Sequence, residues 1–208
     1  MMNETVLIGS VGLLWVLVLF NLVLTLGLVR RANANAGPQP MEEEGLEAGE
    51  PAPDFTAETL DGQQISLATY AGRDVVFLFM SPFCGPCREK LPGIEALAPS
   101  AYAAGTELVY VSNASVDETR AYVEEHTIAL PVVVASPDGS SFYEDYKISG
   151  TPQFCVVDAQ GRVQATGYPA PEVDLAWRGL TERWAAVALR TDQETGGRKE
   201  VNVSAMAK

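Results

Sequence analysis

Cys84-Gly85-Pro86-Cys87 places two thiols two residues apart, a spacing that lets both sulfurs sit at one end of a helix and exchange a disulfide. The residues around it supply the elements that would hold it there. Val75-Val76-Phe77-Leu78-Phe79-Met80 is an uninterrupted apolar run, as expected of a strand buried on both faces. After the cysteines, Arg88-Glu89-Lys90-Leu91 and Ile94-Glu95-Ala96-Leu97 have helical spacing. Strand, short turn, CxxC and helix is the context in which this motif does redox chemistry.

A helix start carries partial positive charge and free N–H groups, both of which favour a thiolate over a thiol. Cys84, on the first and more exposed turn, is the expected attacking sulfur. Motifs of this kind lower such a thiol from ~8.5 to between ~3.5 and ~7. Cys87, one turn deeper, is expected to resolve the mixed disulfide. Pro86 fixes one backbone angle and removes an N–H between the thiols. The alternatives are half of a zinc site or a purely structural bridge. Zinc needs further ligands, and only Cys155 and the single His126 remain to supply them. No metal or cofactor is expected.

Further motifs stand in order along the chain: Ala52-Pro53-Asp54-Phe55, Asp61-Gly62 with Ile65-Ser66-Leu67, Gly150-Thr151-Pro152, and Val157-Asp158 with Gly161. Together with Cys84–Cys87 they resemble the membrane-anchored thioredoxin-like proteins of bacteria, the TlpA/ResA type, within the AhpC/TSA-redoxin superfamily. MauD-type methylamine-utilisation proteins look like a close variant. The resemblance covers roughly residues 51–190 and implies a thioredoxin-like α/β sandwich around a central mixed sheet. It also implies a cis peptide bond at Thr151-Pro152 beside the disulfide. Phe83, Gly85, Pro86, Thr151 and Pro152 would then form the face that meets a substrate, Thr151 through its backbone.

The chain departs from the family pattern at three points. Many thioredoxins carry a buried Asp six residues before the first cysteine; here that residue is Leu78. TlpA/ResA-type proteins often have Glu three residues after the second cysteine, where this chain has Lys90, with Glu89 one place earlier. A lysine there would favour thiolate and a carboxylate would oppose it, so both are candidate tuning residues. The usual Trp before the first cysteine is Phe83.

Composition adds the anchor. The 24 residues 6–29 contain no charge and are dominated by Leu and Val; at ~1.5 Å each they extend ~36 Å, against a bilayer core of ~30 Å. A cleaved signal peptide competes, and Ala34-Asn35-Ala36 resembles a cleavage site. However, the start carries Glu4 and no Lys or Arg, and the core exceeds the usual ~7–15 residues. The expected organisation is a short end (1–5), a single transmembrane helix (6–29), a flexible linker (30–50), the thioredoxin-like domain (51–190) and a disordered tail (191–208). Arg30-Arg31 alone would put the carboxyl side in the cytoplasm. The resemblance instead implies a domain outside the bacterial cytoplasmic membrane. A net charge of −13 argues against nucleic acid and anionic lipid surfaces as partners.

Within the domain, Phe55–Thr59 and Gln64–Leu67 read as a hairpin around Asp61-Gly62. Helices are expected over Cys84–Ala98 (kinked at Pro92), Asp117–His126 (capped by Ser115 or Asp117), Ser140–Tyr146 and Pro171–Leu189. Strands are expected over Leu108–Ser112, Pro131–Ala135, Phe154–Asp158 and Arg162–Gly167. Cys155 reads as a small buried hydrophobe, with a regulatory disulfide to the active pair as its alternative. His126 reads as a surface cap, and Trp177 and Trp184 as packing residues.

The function expected is a membrane-tethered thiol-disulfide oxidoreductase, in the reducing direction that Cys-Gly-Pro-Cys suggests. Its partners would be protein disulfides, such as apocytochrome c or a cysteine-rich enzyme under maturation, and a membrane-embedded electron donor. A peroxiredoxin-like peroxidase would need Thr at Ser81. A non-catalytic anchored binding or maturation module would use the groove and leave the cysteines as an inert bridge.

Overall fold

A computed structural model describes residues 10, 12–25 and 45–206, with side chains of the last helix described through Arg190. The chain divides into two units, Met1–Glu42 and Glu43–Lys208. In the first, residues 12–25 are helical (α1) with exposed side chains. Among the described residues no helix is long and apolar enough to cross a membrane. Positions 6–9, 11 and 26–29 of the expected span, and 30–44 of the expected linker, lie outside the described residues.

The second unit is built on seven strands: β1 (Ala57–Thr59), β2 (Gln64–Ile65), β3 (Asp74–Met80), β4 (Thr106–Ser112), β5 (Val132–Val134), β6 (Gln153–Val157) and β7 (Val163–Gly167). They form one mixed sheet in the order β2-β1-β5-β4-β3-β6-β7. The three central strands β3, β4 and β5 are parallel; β1 joins β5, and β6 joins β3, antiparallel. This is the thioredoxin-like arrangement expected. The helices are α2 (Gly85–Glu95), α3 (Ala98–Ala103), α4 (Val116–His126), α5 (Phe142–Asp145) and α6 (Leu175–Met206), with a 3₁₀ turn at Leu67–Tyr70.

The alternation of β3 divides the core in two. Val75, Phe77 and Phe79 point into one apolar layer, with Phe55, Phe142, Tyr146 and Cys155. Val76, Leu78 and Met80 point into the other, with Cys87, Leu91, Tyr110, Tyr122, Trp177 and Trp184. Every residue of β3 from Val75 on is buried, which is what its unbroken apolar run requires of a central strand.

Several boundaries differ from those read in the sequence; the closing helix, for one, starts at Leu175 and not at Pro171. The folded unit begins before residue 51: Leu46 is buried, Gly49 N–H donates to Val163 O (2.8 Å) and Thr166 Oγ1 donates to Leu46 O (3.1 Å). At Gly45, φ is +97° and a Cβ would sit 2.7 Å from Thr166 Oγ1, so only glycine fits. The helix expected to run to Ala98 stops at Glu95 and restarts at Ala98 as α3. Pro99, near the new N-terminus, has no N–H to give the preceding turn, and a first-turn site is where proline is tolerated. Finally, α6 continues to Met206, through residues expected to be disordered. No proline interrupts that stretch, and extending an existing helix is far easier than nucleating one.

Burial raises several acidic protons in the core. Tyr70 is pushed up to about 12, by burial first and Glu107 second, with Arg73 opposing; burial pushes the Cys155 thiol up to about 12. Burial also raises Tyr143 and Tyr146. The unfolded chain gives up these protons from about pH 8.5–10, so above that range the unfolded state binds fewer protons than the folded one. Their stabilisation is complete below about pH 8.5 and lost as pH climbs toward 12. Unfolding free energies from denaturant titrations at pH 8 to 12 are expected to fall steadily, by up to about 1.4 kcal/mol per pH unit for each group.

Candidate active site

The redox pair sits where β3 hands over to α2. The sheet ends at Met80, Ser81 and Pro82 are buried, and Cys84 takes an extended conformation (φ −89°, ψ 114°) as the N-cap of α2. Its Sγ accepts the Cys87 N–H at 3.1 Å, which puts a backbone donor of the first turn on the sulfur. Cys84 and Cys87 are disulfide-bonded, with Cα atoms 5.2 Å apart. Cys84 is partly exposed and Cys87 is fully buried. Pro86 lies in the first turn, and Gly85 and Pro86 are both exposed.

Across from the pair, Thr151-Pro152 is a cis peptide. Pro152 is buried, Thr151 half-buried, and the Thr151 carbonyl oxygen lies 3.4 Å from Cys84 Sγ. Phe83 stands out to solvent at 72 % exposure, an apolar side chain one residue from the reactive sulfur. The structure thus brings Phe83, Cys84, Gly85, Pro86, Thr151 and Pro152 onto one edge of the domain.

The two tuning candidates have different surroundings. Glu89 is exposed. Lys90 Nζ is 2.8 Å from Glu172 Oε1 and 5.5 Å from the centre of the Tyr168 ring. Its pKa is raised, first by the hydrogen bond to Glu172. The charge that could have favoured a thiolate is therefore paired with the loop leading into α6. Leu78 is fully buried in the same layer as Cys87. Cys155 lies in the opposite layer, so the sheet stands between it and Cys87, which removes the alternative of a regulatory disulfide with the pair. His126 closes α4 with its ring 4.4 Å from that of Tyr122. Trp177 and Trp184 are buried, with ring centres 6.0 Å apart.

Three supporting residues were not singled out in the sequence. Tyr143 Oη lies 2.8 Å from Met80 O and 2.7 Å from Val111 O, tying together the ends of β3 and β4 just before the redox turn. Glu172 holds Lys90. Asp174 accepts the N–H groups of Tyr168 (2.9 Å) and Trp177 (2.8 Å), closing the loop onto α6. An Asp directly before the apolar stripe of a helix is a cap signal, and that could have revealed Asp174. Gly167 (φ +157°) makes room for it: a Cβ there would run into the Asp174 carboxylate. Gly167→Ala is expected to displace Asp174, orphan both N–H groups and cost about 2–4 kcal/mol, read from denaturant unfolding.

A cavity of about 300 Å³ opens elsewhere, lined by Tyr70, Val75, Val157 and Gln160. It lies at the start of β3, the strand end away from the cysteines, and has no part in the disulfide chemistry.

Residues 48–166, more than half of the chain, match the model of the AhpC/TSA family. The chain belongs to that family. It is 26 % identical over 123 residues to the thiol-disulfide oxidoreductase ResA of Bacillus cereus, covering 59 % of this chain and 70 % of the relative. It is 28 % identical over 174 residues to the methylamine utilization protein MauD of Methylobacillus flagellatus, covering 80 % and 82 %. Among solved structures, the thioredoxin domain of a thiol-disulfide oxidoreductase from Bacteroides vulgatus superposes with a TM-score of 0.53 at 26 % identity, over 58 % of this chain and 88 % of the other. With a CxxC disulfide at a helix N-terminus in this AhpC/TSA domain, the chain is a thiol-disulfide oxidoreductase.

Proposed function

We propose that the protein is a membrane-tethered reductase of protein disulfides outside the cytoplasmic membrane. The observation that carries this reading is the Cys84–Cys87 disulfide at the start of α2, with Cys84 Sγ 3.4 Å from the Thr151 carbonyl beside the cis proline. In the reduced state the Cys84 thiolate, helped by the Cys87 N–H, attacks a substrate disulfide and forms a mixed disulfide. Cys87 then attacks Cys84, releases the reduced substrate and leaves the bridge seen here. The extended backbone of the substrate pairs with Thr151, and its apolar side chains rest on Phe83 and Pro86.

The tether rests on the uncharged stretch 6–29, of which 12–25 is helical. The direction rests on Cys-Gly-Pro-Cys, the motif of thioredoxins with potentials of about −270 mV. Substrates of the class of apocytochrome c or a cysteine-rich enzyme under maturation fit an anchored reductase, and a membrane-embedded donor would return the electrons. Against the peroxidase reading, the Ser81 hydroxyl is buried and accepts the Phe83 N–H at 3.4 Å, inside the turn. In intact cells, a membrane-impermeant maleimide is expected to label reduced Cys84. Labelling only after lysis would place the domain in the cytoplasm and overturn the assignment.

A further inference from the structure

The loop between β7 and α6 is pinned by its own hydrogen bonds. The N–H groups of Val173 (3.2 Å) and Asp174 (2.9 Å) donate to Ala170 O, and Arg178 Nε donates to Pro171 O (2.7 Å). The Asp174 carboxylate takes the Tyr168 and Trp177 N–H groups. Strand register places the loop at the redox end of the sheet: Gly167 stands opposite Phe154, two residues after the cis proline. Held there, the loop sends Glu172 to Lys90 of α2, with Oε1 2.8 Å from Nζ, and sets the Tyr168 ring under the same ammonium.

Lys90 follows Cys87 by three residues, so their side chains leave α2 as neighbours, with ~5–6 Å between Cβ atoms. Helical side chains lean toward the N-terminus, here the end that carries Cys84. A charge at this place acts on the sulfurs across a distance on the order of the ~10 Å Debye length at 0.1 M salt. The pair stays ionised: its hydrogen bond raises the Lys90 pKa and lowers that of Glu172. Both charges are therefore present throughout the range in which a thiol titrates. The other groups facing the pair are Glu89 from α2, Tyr168 from the loop and Arg178 from α6. Arg88 turns away, to the Tyr122 hydroxyl on α4.

We propose that Glu172 is a positioning residue that sets the reactivity of the redox pair through Lys90, its carboxylate cancelling the ammonium that would otherwise over-stabilise the Cys84 thiolate. The charge on this face of α2 is then set by the pinned loop and not by α2 alone. An uncancelled ammonium favours the thiolate and with it the reduced form. A pair whose reduced form is stabilised is a stronger oxidant and a weaker reductant. The Lys90–Glu172 pair therefore keeps the site on the reducing side. The inference rests on disulfide exchange at Cys84 and Cys87 and, for the direction it favours, on the reductase reading above.

The test compares four full-length proteins in detergent: wild type, Glu172→Gln, Lys90→Met and the double variant. Each carries ¹³Cβ-labelled cysteine, is chemically reduced and titrated by NMR, and is separately equilibrated with glutathione. Glu172→Gln is expected to move the Cys84 titration down by about half a unit, and Lys90→Met to move it up by a similar amount. The double variant returns to the wild-type value. The dithiol–disulfide equilibrium shifts about threefold toward dithiol in Glu172→Gln and away from it in Lys90→Met. Both shifts shrink in ~1 M salt, where the Debye length is ~3 Å. Single variants that move Cys84 in the same direction, a double variant that does not return, or shifts undiminished by salt mark a packing role and overturn the proposal. Titrations unmoved in every variant overturn it too. Because the titration reads chemically reduced protein, a wild type that never cycles with glutathione would count against the reductase reading, while the Cys84 curves still decide the role of Glu172.

Discussion

Cys84→Ser is expected to abolish disulfide reduction, lowering the rate by at least about a thousandfold, while the domain stays folded. A serine at the α2 N-cap still offers an oxygen to the Cys87 N–H, so the cap survives. What disappears is the thiolate that opens the substrate disulfide, and a serine hydroxyl cannot replace it. Cys87→Ser is expected to behave differently. The half-exposed Cys84 still attacks, but nothing resolves the product, so the protein accumulates as a mixed disulfide visible on a non-reducing gel. The asymmetry follows from exposure, since only one of the two sulfurs reaches solvent. If Cys84→Ser retained activity, or if both variants trapped substrate equally, the assignment of roles would be wrong.

Phe142→Ala is expected to cost about 3–5 kcal/mol, the range for removing a buried aromatic ring. Phe142 is fully buried in α5, a helix of four residues that cannot stand by its own hydrogen bonds. Its ring stacks on Phe55 (centroids 3.6 Å apart, 4° between planes) and meets Phe77, Phe79 and Tyr146 edge-on. It thereby fastens α5 to the sheet and, through the neighbouring Tyr143, to the strand ends below the redox turn. For a domain of this size the loss corresponds to a melting temperature lower by roughly 6–20 °C. A drop under about 1 kcal/mol would mean that the ring cluster contributes far less than its burial indicates.

Much of this was legible in the sequence because the signals were local and strong. The apolar run before Cys84 could only be a central strand, and the Asp61-Gly62 turn fixed the first hairpin. Ser115 and Glu118 form a reciprocal cap at the start of α4, so of the two caps the sequence offered, Ser115 is used and Asp117 is not. Thr151-Pro152 was readable only through family resemblance, because no local pattern distinguishes a cis proline from one that merely starts a strand. The hidden parts depend on distant partners. Gly45-Leu46 sits in a polar, glycine-containing stretch, and only its hydrogen bonds along β7 show that it belongs to the fold. The pairing of Lys90 with Glu172 joins residues 82 positions apart, so spacing within α2 could not reveal where that charge goes. The break between α2 and α3 carried a local sign, Pro99, but Pro92 inside α2 shows that a proline need not end a helix.

The account turns most directly on the equilibrium between the Cys84–Cys87 dithiol and its disulfide. The full chain, equilibrated in glutathione buffers, alkylated and read by mass, gives the reduction potential of the pair. A potential of about −270 mV or lower is the predicted result, that of a reductant needing a steady electron supply. A value of about −120 mV would make the protein a disulfide donor, and a pair that never cycles would make it an inert bridge; either contradicts the account.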